Sequence, residues 1–195
     1  RIVRGDTKGD AKMSFKRKNP IDTDLKGKVA VVTGAGGVIC SMIAQSLVRA
    51  GAKVALLDIN ELAAKAHAEG MTVYGGTAKG YKADVLDKDG LAECHERILE
   101  DLGPCDILIN GAGGNNPRAT TDKEYYESGD IDAETKSFFD LDKSGVEFVF
   151  DLNFIGTLLP TQEFARDILG KKVCNIINIS SMNAYTRLTK IPAYS

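Results

Sequence analysis

The sequence lacks any long apolar run. No stretch approaches the roughly 18 consecutive apolar residues of a membrane-spanning helix, and the N-terminus has no hydrophobic core of the kind that directs export. We therefore expect neither a membrane span nor secretion, and we predict a cytoplasmic location.

A large net charge is also absent. Lys and Arg total 25 against 27 Asp and Glu, which leaves a formal charge of −2 at pH 7. Because neither sign dominates, nothing global favours nucleic acid or an anionic membrane as a partner. A small neutral or anionic ligand is compatible with this charge balance.

Cysteine and histidine are scarce, with four and two residues respectively. The cysteines show no CxxC or other metal-type spacing, which favours reduced thiols of a cytosolic protein over a disulfide framework. Both histidines fall on predicted helices without partners at metal-ligand spacing, which favours surface or packing roles and no metal site. These residues are Cys40, Cys94, Cys105, Cys174, His67 and His95.

The 195 residues are 43% hydrophobic and 27% charged, which is typical of one globular domain. Residues 1–24 differ, since they are polar and lysine-rich without apolar periodicity. They are a non-native leader ahead of a start at Met13, a solvated tail, or a nucleic-acid arm. The domain itself is predicted over residues 25–195.

Short β-branched apolar runs alternate strictly with amphipathic stretches from Lys28 onward. Continuous apolar strands separated by helices predict a parallel sheet covered on both faces, which is a doubly wound, three-layer α/β fold. The predicted strands are "KVAVVT", "KVALLD", "GYKADV", "CDILING" and "VCNIINISS", and the helices are "VICSMIAQSLVRAG", "ELAAKAHAEG", "LDKDGLAECHERILEDLG" and "VEFVFDLNFIGTLLPTQEFARDILG".

The alternation of strands and helices is interrupted over residues 115–145, which are polar and acidic without a clear strand. A loop of this length in a compact domain is usually disordered or a functional lid. We predict an insertion over a substrate pocket. The acidic run around Asp130 is expected to be a solvated loop rather than a cation site.

A glycine-rich turn, "TGAGGVIC", joins the first strand to the first helix. Gly34, Gly36 and Gly37 allow a sharp turn and close approach of the backbone to a pyrophosphate at the helix N-terminus. The match to GxGxxG is incomplete, because Ile39 stands at the third glycine position. No lysine of the Walker type follows, which disfavours a nucleoside triphosphatase.

Asp58 ends the second predicted strand, 24 residues after Gly34. A carboxylate there accepts hydrogen bonds from both hydroxyls of an adenosine ribose and repels a 2′-phosphate, so it favours NAD(H) over NADP(H). The alternative is that Asp58 is the N-cap of the helix that follows.

Together these motifs resemble the short-chain dehydrogenase/reductase family, with a Rossmann-type fold, from Leu25 to Ser195. Ser181 and Tyr194 have the family's spacing of thirteen residues. The segments that carry the resemblance are "TGAGGVIC", "ADV", "INGAGG", "DLNFIG", "NISS" and "PAYS".

The resemblance implies roles for particular residues. Tyr194 becomes the general acid or base, Ser181 hydrogen-bonds the substrate oxygen, and Asn153 relays protons through water. A free tyrosine, with a pKa of about 10, is ionised to only about one part in a thousand near neutral pH, so base chemistry needs a nearby cation. The implied cofactor contacts come from Gly34, Gly36, Gly37, Val38, Ile39, Asp58, Asp84, Val85, Asn110, Gly111, Ala112 and Tyr194.

In the family that cation is a lysine four residues after the tyrosine, which would be position 198. The sequence stops at 195, so we expect a longer protein whose last helix and strands lie beyond it. Two departures from the family pattern also stand out: Val38 and Cys40 replace loop glycines, and Gly111 replaces the second asparagine of "NNAG".

A narrower resemblance is to the family's sugar-acid branch, the D-mannonate oxidoreductases (fructuronate reductases). It implies interconversion of D-fructuronate and D-mannonate with NAD(H). Asn115, Asn116 and Arg118 then offer donors to a polyhydroxylated anion, with Arg118 opposite the carboxylate; the alternative is a solvated loop. Met182 and Asn183 are expected to face the same pocket, although Met182 equally suits core packing.

We therefore expect an oxidoreductase acting on a small sugar acid. Two alternatives stay open: a reductase of another polyol or keto sugar such as 5-ketogluconate, and a non-catalytic dinucleotide sensor. The family resemblance further implies a homo-oligomer, a tetramer or a dimer.

Overall fold

The computed structural model describes residues 23–130, 134–186 and 189–195, and most of the predicted leader lies outside this part of the chain. Its strands are β1 (Val29–Thr33), β2 (Lys53–Asp58), β3 (Thr77–Lys82), β4 (Ile107–Asn110) and β5 (Asn175–Asn178). Its α-helices are α1 (Val38–Arg49), α2 (Glu61–Val73), α3 (Lys88–Asp101), α4 (Lys143–Phe150) and α5 (Gly156–Ile168).

The five strands form one parallel sheet in the order β3-β2-β1-β4-β5. This confirms the predicted doubly wound α/β fold. The strand order reverses between β1 and β4, so the connections after these two strands leave in opposite directions. Ligands of such folds bind in the crevice that opens there, at the carboxyl ends of the strands.

Both faces of the central strands β1, β2 and β4 are buried, which explains why these strands are continuously apolar, whereas the edge strand β5 is exposed. Val29 and Val31 of β1 face a core that includes Leu91 of α3 and Phe164 of α5. Ala30, Val32 and Ile109 face the opposite core, beneath α1 and α2. Successive side chains of a strand point to opposite faces, so each central strand needs apolar residues at every position.

Several predicted boundaries are wrong. β3 ends at Lys82, so "ADV" is irregular, and β5 is confined to Asn175–Asn178. Helix α3 begins only at Lys88, because the Asp87 carboxylate accepts a hydrogen bond from the Gly90 amide and caps the helix.

The helix predicted after the insertion is interrupted. A π-helical turn over Asp151–Ile155 separates α4 from α5, and Pro160 lies inside α5. Proline has no N–H to donate to the carbonyl four residues earlier, which weakens the regular ladder. Single π-turns of this kind are frequent at functional sites.

The insertion is folded where the structure describes it. Short 3-10 helices span Pro117–Ala119 and Phe138–Asp140, and Lys123 forms an ion pair of 2.6 Å with Asp130. The hydrogen bond from Lys123, followed by one from the Glu127 amide, lowers the pKa of Asp130. Asp130, where the predicted acidic run begins, is therefore held within the fold rather than solvated, and residues 131–133 of that run lie outside the described residues.

All four cysteines are free. Burial raises the pKa of Cys94 to about 11 and that of Cys105 to about 12, so these thiols are protonated near neutral pH. Within residues 23–130, 134–186 and 189–195, no helix is long and apolar enough to cross a membrane, and no cluster of potential metal ligands is present.

Candidate active site

A cleft of about 560 Å³ opens at the carboxyl ends of β1, β2 and β4. It is where the fold predicts a nucleotide. Its lining comprises Gly34, Gly37, Val38, Ile39, Cys40, Asp58, Ile59, Ala83, Asp84, Val85, Leu86, Gly111, Ala112, Gly113, Phe148 and Leu152. We call this the nucleotide cleft.

The turn after β1 packs directly on the turn after β4. Gly34 has a φ of +68°, and a Cβ there would lie 2.9 Å from the backbone of Ala112. The Thr33 hydroxyl accepts hydrogen bonds from the amides of Gly111 and Ala112, at 3.0 and 3.2 Å. Glycine at position 34 is therefore required twice, by the left-handed backbone and by the close approach.

Asp58 holds the other side of the glycine turn. Its Oδ2 accepts from the Gly36 amide at 2.9 Å, and its Oδ1 accepts from the Asn60 amide at 2.8 Å. A Cβ at Gly36 would lie 2.8 Å from the Asp58 carboxyl carbon. The side chain that caps α2 is Asn60, which accepts from the Ala63 amide, so the alternative role of Asp58 as that N-cap is wrong.

Helix α1 begins at this cleft without a capping side chain. Its N-cap is Gly37, whereas α2, α3 and α4 are capped by Asn60, Asp87 and Asp142. First-turn amides have no partner within a helix, and the helix dipole adds positive potential there. The glycine turn and the uncapped helix start offer amide donors for a pyrophosphate, and the strand-end carboxylate offers an acceptor for ribose hydroxyls, which together suit a dinucleotide.

We expect Gly34→Ala to destabilise the fold by about 1–3 kcal/mol, because alanine is strained at positive φ and its Cβ would meet Ala112. Urea denaturation measures this loss. Gly70→Ala is the matched control, since Gly70 lies in α2 with nothing within 4 Å of a built Cβ. The control should stabilise by about 0.5–1 kcal/mol, and equal effects of the two changes would contradict this account.

A second cleft, of about 490 Å³, adjoins the first. The two share Ile39, Cys40 and the turn Gly111–Gly113 in their linings. We call the second one the catalytic cleft, because both residues with predicted catalytic roles, Ser181 and Tyr194, line it. Its other lining residues are Asn153, Thr157, Asn178, Ile179, Ser180 and Ala184.

Asn153 lies at the centre of the π-helical turn, and its side-chain amide hydrogen-bonds to the turn that follows β4. Its Oδ1 accepts from the Gly114 amide at 3.0 Å, and its Nδ2 donates to the carbonyls of Gly114 and Val149 at 2.8 and 2.7 Å. A Cβ at Gly113 would lie 2.8 Å from Asn153 Oδ1. Asn153 thus joins the turn shared by both clefts to the α4–α5 helical unit.

Ser181 and Tyr194 lie on the irregular chain that follows β5. The Ser181 hydroxyl oxygen accepts from the Asn183 amide at 3.2 Å, which caps a 3-10 turn over Met182–Ala184. The Tyr194 amide donates to the Ile191 carbonyl at 2.9 Å. The two hydroxyl-bearing residues predicted from their spacing are therefore brought to one cleft.

Two of the departures from the family pattern, Cys40 and Gly111, are explained by each other. A Cβ at Gly111 would fall 2.2 Å from the sulfur of Cys40, so the Cys40 side chain fills the space that a side chain at position 111 would need. Burial, and then the charge of Asp58, raise the pKa of the Cys40 thiol.

The four predicted substrate residues lie outside the catalytic-cleft lining formed by the described residues. Met182 is 71% exposed, and Arg118 is also exposed. Asn115 donates from Nδ2 to the Thr120 hydroxyl at 2.7 Å, while its buried Oδ1 has no partner among the described residues. Asn183 contacts Ser181 through its backbone amide. Substrate roles for these residues remain predictions.

Several lining residues were not predicted. Asn178 ends β5 as its register partner Asn110 ends β4, and Asn110 Nδ2 donates to Asn178 Oδ1 at 2.9 Å. The rule that sites form at the carboxyl ends of parallel strands would have found Asn178. Phe148 and Leu152 line the nucleotide cleft with a helical spacing of four, which also could have been read from the sequence.

Residues 28–195 match the short chain dehydrogenase family. The chain belongs to that family. An uncharacterized oxidoreductase of Haemophilus influenzae is 55% identical over 94% of this chain, and the uncharacterized oxidoreductase UxuB of Bacillus subtilis is 47% identical over 90%. The short-chain dehydrogenase chain spans 64% and 62% of the length of these relatives.

Solved structures agree with the family fold. A Haemophilus protein provisionally assigned as a D-mannonate oxidoreductase, with bound NAD, superposes with a TM-score of 0.85 and 56% identity, over 88% of this chain and 61% of that one. NAD+-bound xylitol dehydrogenase superposes with a TM-score of 0.72 over 87% of this chain and 58% of that one, at 24% identity, which supports the fold alone.

Proposed function

We propose that the protein is an NAD(H)-dependent oxidoreductase that interconverts the ketone and the alcohol of a sugar acid, D-fructuronate and D-mannonate. The observation that carries the proposal is the continuity of the two clefts along the Gly111–Gly113 turn. A dinucleotide bound by the glycine turn can extend along it toward the cleft that Ser181 and Tyr194 line. The similar Haemophilus structure with bound NAD supports the same reading.

NADH supplies the hydride for ketone reduction. The Ser181 hydroxyl hydrogen-bonds the carbonyl oxygen and stabilises the charge that develops there. The Tyr194 hydroxyl gives that oxygen its proton, so the products are an alcohol and a tyrosinate that regains a proton from solvent. In the oxidative direction Tyr194 takes the alcohol proton instead, and Asn153 is proposed to hold the water that relays it.

The polar lining of the catalytic cleft suits a polyhydroxylated substrate. Asn153, Asn178, Thr157 and Ser180 provide amide and hydroxyl groups, and the described lining contains no charged side chain. A carboxylate therefore needs a cation from outside that lining, and Arg118 in the insertion is the proposed partner. Asn115, Met182 and Asn183 are proposed to complete the substrate site from the cleft's margin. A homo-oligomer and a cytoplasmic location remain predictions.

Asp58 is proposed to select NADH over NADPH. We expect Asp58→Asn to lower the ratio of NADPH to NADH dissociation constants by about tenfold or more, because the negative charge that repels a 2′-phosphate is removed. Disturbance of the hydrogen bonds to Gly36 and Asn60 would weaken both cofactors equally and cancel in this ratio. Fluorescence titration with each cofactor measures it, and an unchanged ratio would refute the role.

Turnover is tested with the intact protein and NADH. D-Fructuronate, 5-ketogluconate, an uncharged ketose and a non-sugar ketone are compared by the loss of NADH absorbance. Selective turnover of D-fructuronate supports the proposal, whereas preference for 5-ketogluconate identifies a different keto sugar substrate. NADH binding without turnover of any ketone would overturn it in favour of a dinucleotide sensor.

A further inference from the structure

A short segment of the insertion, Pro117–Thr121, touches three other parts of the site. Its 3-10 helix packs on α4, where a Cβ at Gly145 would lie 2.7 Å from the Cβ of Arg118. Ala119 is fully buried there, and the Asp142 amide donates to the Arg118 carbonyl at 3.2 Å. This segment, which we call the hub, is therefore fixed to the helical unit that carries Asn153.

Lys136 links the later part of the insertion to the hub by hydrogen bonds. Its ammonium group donates to the carbonyls of Pro117 and Arg118, at 2.9 and 2.8 Å. Its backbone amide donates to the Asp122 carboxylate at 2.8 Å, and its carbonyl accepts from the Asp122 amide at 2.9 Å. Both carbonyls also accept a backbone amide, from Thr120 at 3.3 Å and from Asp142 at 3.2 Å, so the lysine adds a second, charged donor to each.

Thr121 joins the hub to the chain that leads to Tyr194. Its amide donates to the Lys190 carbonyl at 2.9 Å, and its hydroxyl lies 2.8 Å from the Lys123 carbonyl and 3.4 Å from that of Lys190. Thr121 is only 8% exposed. The turn that presents Tyr194 begins at the next residue, Ile191, whose carbonyl accepts from the Tyr194 amide.

A cavity of about 250 Å³ lies between these elements, lined in part by Thr121, Lys123 and Lys136. Both ammonium groups are already engaged, since Lys123 pairs with Asp130 at 2.6 Å and Lys136 bonds the two hub carbonyls. The polar groups of the cavity thus hold the insertion together, which fits a positioning role better than a ligand site.

We propose that Thr121 and Lys136 are positioning residues for Tyr194, and that the insertion acts on catalysis through them. This inference rests on the proposed catalytic role of Tyr194. The Lys136 ammonium holds the hub, the hub presents Thr121, and Thr121 holds the Lys190 carbonyl from which the tyrosine turn starts. Displacement of a reacting group by about 1 Å can lower a rate by about a hundredfold. Weakening the contacts of either residue is therefore expected to lower kcat.

The test compares Thr121→Val and Lys136→Met with the conservative Thr121→Ser and Lys136→Arg. We expect Lys136→Met to lower kcat about tenfold, with KM within about threefold and the NADH dissociation constant unchanged. Thr121→Val should have a smaller effect, about threefold in kcat, because valine loses the hydroxyl contacts but keeps the amide bond to the Lys190 carbonyl. The conservative variants should recover most of kcat. Ser137→Ala is the matched control, because it removes a capping contact of the insertion, to Asp140 at 2.7 Å, without touching the hub. Unchanged kcat in both test variants, or an equal loss in the control, would overturn the proposal.

Hydrogen exchange separates this inference from the proposed reaction. Lys136→Met, which removes the two bonds that hold the hub, should speed amide exchange in residues 189–195 relative to the wild type and to Ser137→Ala, whether or not a ketone is reduced. If the wild type turns over no ketone but exchange rises, the proposed function fails while the structural coupling stands. Unchanged exchange in residues 189–195 would refute the coupling whatever the activity.

Discussion

Tyr194→Phe is expected to lower kcat for the sugar-acid ketone by about a hundredfold to ten-thousandfold, the range that general acid–base groups contribute. The change removes one hydroxyl and keeps the ring, so the catalytic cleft should retain its shape. The loss should appear in kcat and kcat/KM together, because the proton is needed only as the transition state forms.

NADH affinity in Tyr194→Phe separates chemistry from binding. The nucleotide cleft is built from the glycine turn, Asp58 and the β4 turn, so we expect the dissociation constant to change by less than about threefold. Tyr185→Phe is the matched control, because Tyr185 follows the 3-10 turn at Ser181 and is 91% exposed. Full activity in Tyr194→Phe, or a comparable loss in Tyr185→Phe, would remove Tyr194 from the mechanism.

Ser181→Ala provides an independent check on the same cleft. If the serine hydroxyl stabilises charge on the substrate oxygen, its removal should cost about a hundredfold in kcat. The double variant with Tyr194→Phe should lose less than the product of the single losses, since residues that act as a unit are not additive. Simple multiplication of the two effects would indicate that the hydroxyls serve separate steps.

The central sheet was predictable because burial on both faces leaves a strong pattern. β1, β2 and β4 are continuously apolar and lie where the sequence placed them. The ends of β3 and β5 were not predictable, since Ala83 and Ile179 lie outside their strands yet continue the same apolar pattern. Where the chain turns into a cleft, composition no longer marks the boundary.

The sequence predicted which residues line the site better than it predicted the hydrogen bonds that these residues make. Spacing alone selected Ser181 and Tyr194, which the fold brings to one cleft. It could not decide whether Asp58 faces the glycine turn or caps α2, because aspartate is a good N-cap. The geometry resolves this, as Asp58 turns back to the glycine loop.

Contacts between distant parts of the insertion left no sequence signal. Thr121 and Lys190 are 69 residues apart, and a backbone carbonyl can be bonded by any residue whose amide reaches it. The π-helical turn was hidden for a similar reason, because the apolar residues around Asn153 suit a regular helix equally well. Both features depend on packing, which a single sequence does not record.

The largest stability effect is expected at a histidine remote from the clefts. His95 of α3 is 7% exposed, and its ring lies edge-on to Phe164 with the centroids 4.9 Å apart. Its Nδ1 lies 2.8 Å from Glu163 Oε1 and its Nε2 lies 2.8 Å from Asp167 Oδ2. Through its two nitrogens the ring links α3 to two carboxylates of α5.

His95→Ala should therefore lower the free energy of unfolding by about 3–5 kcal/mol. It opens a cavity beside Phe164 and leaves Asp167 with the Cys105 amide and Glu163 with Arg166 as their remaining partners among the described residues. The loss should appear as a lower urea midpoint with little change in slope. His67→Ala is the matched control, since His67 is an exposed residue of α2, and its effect should stay within about 0.5 kcal/mol.

A double variant distinguishes lost charge pairing from lost packing. Glu163→Gln removes one of the two carboxylate charges while keeping the side-chain size, so it should cost less in the His95→Ala background than in the wild type. A coupling energy of about 1–3 kcal/mol is expected for residues in one such network. Additive losses would instead assign the effect to the cavity left beside Phe164, where the imidazole ring now packs.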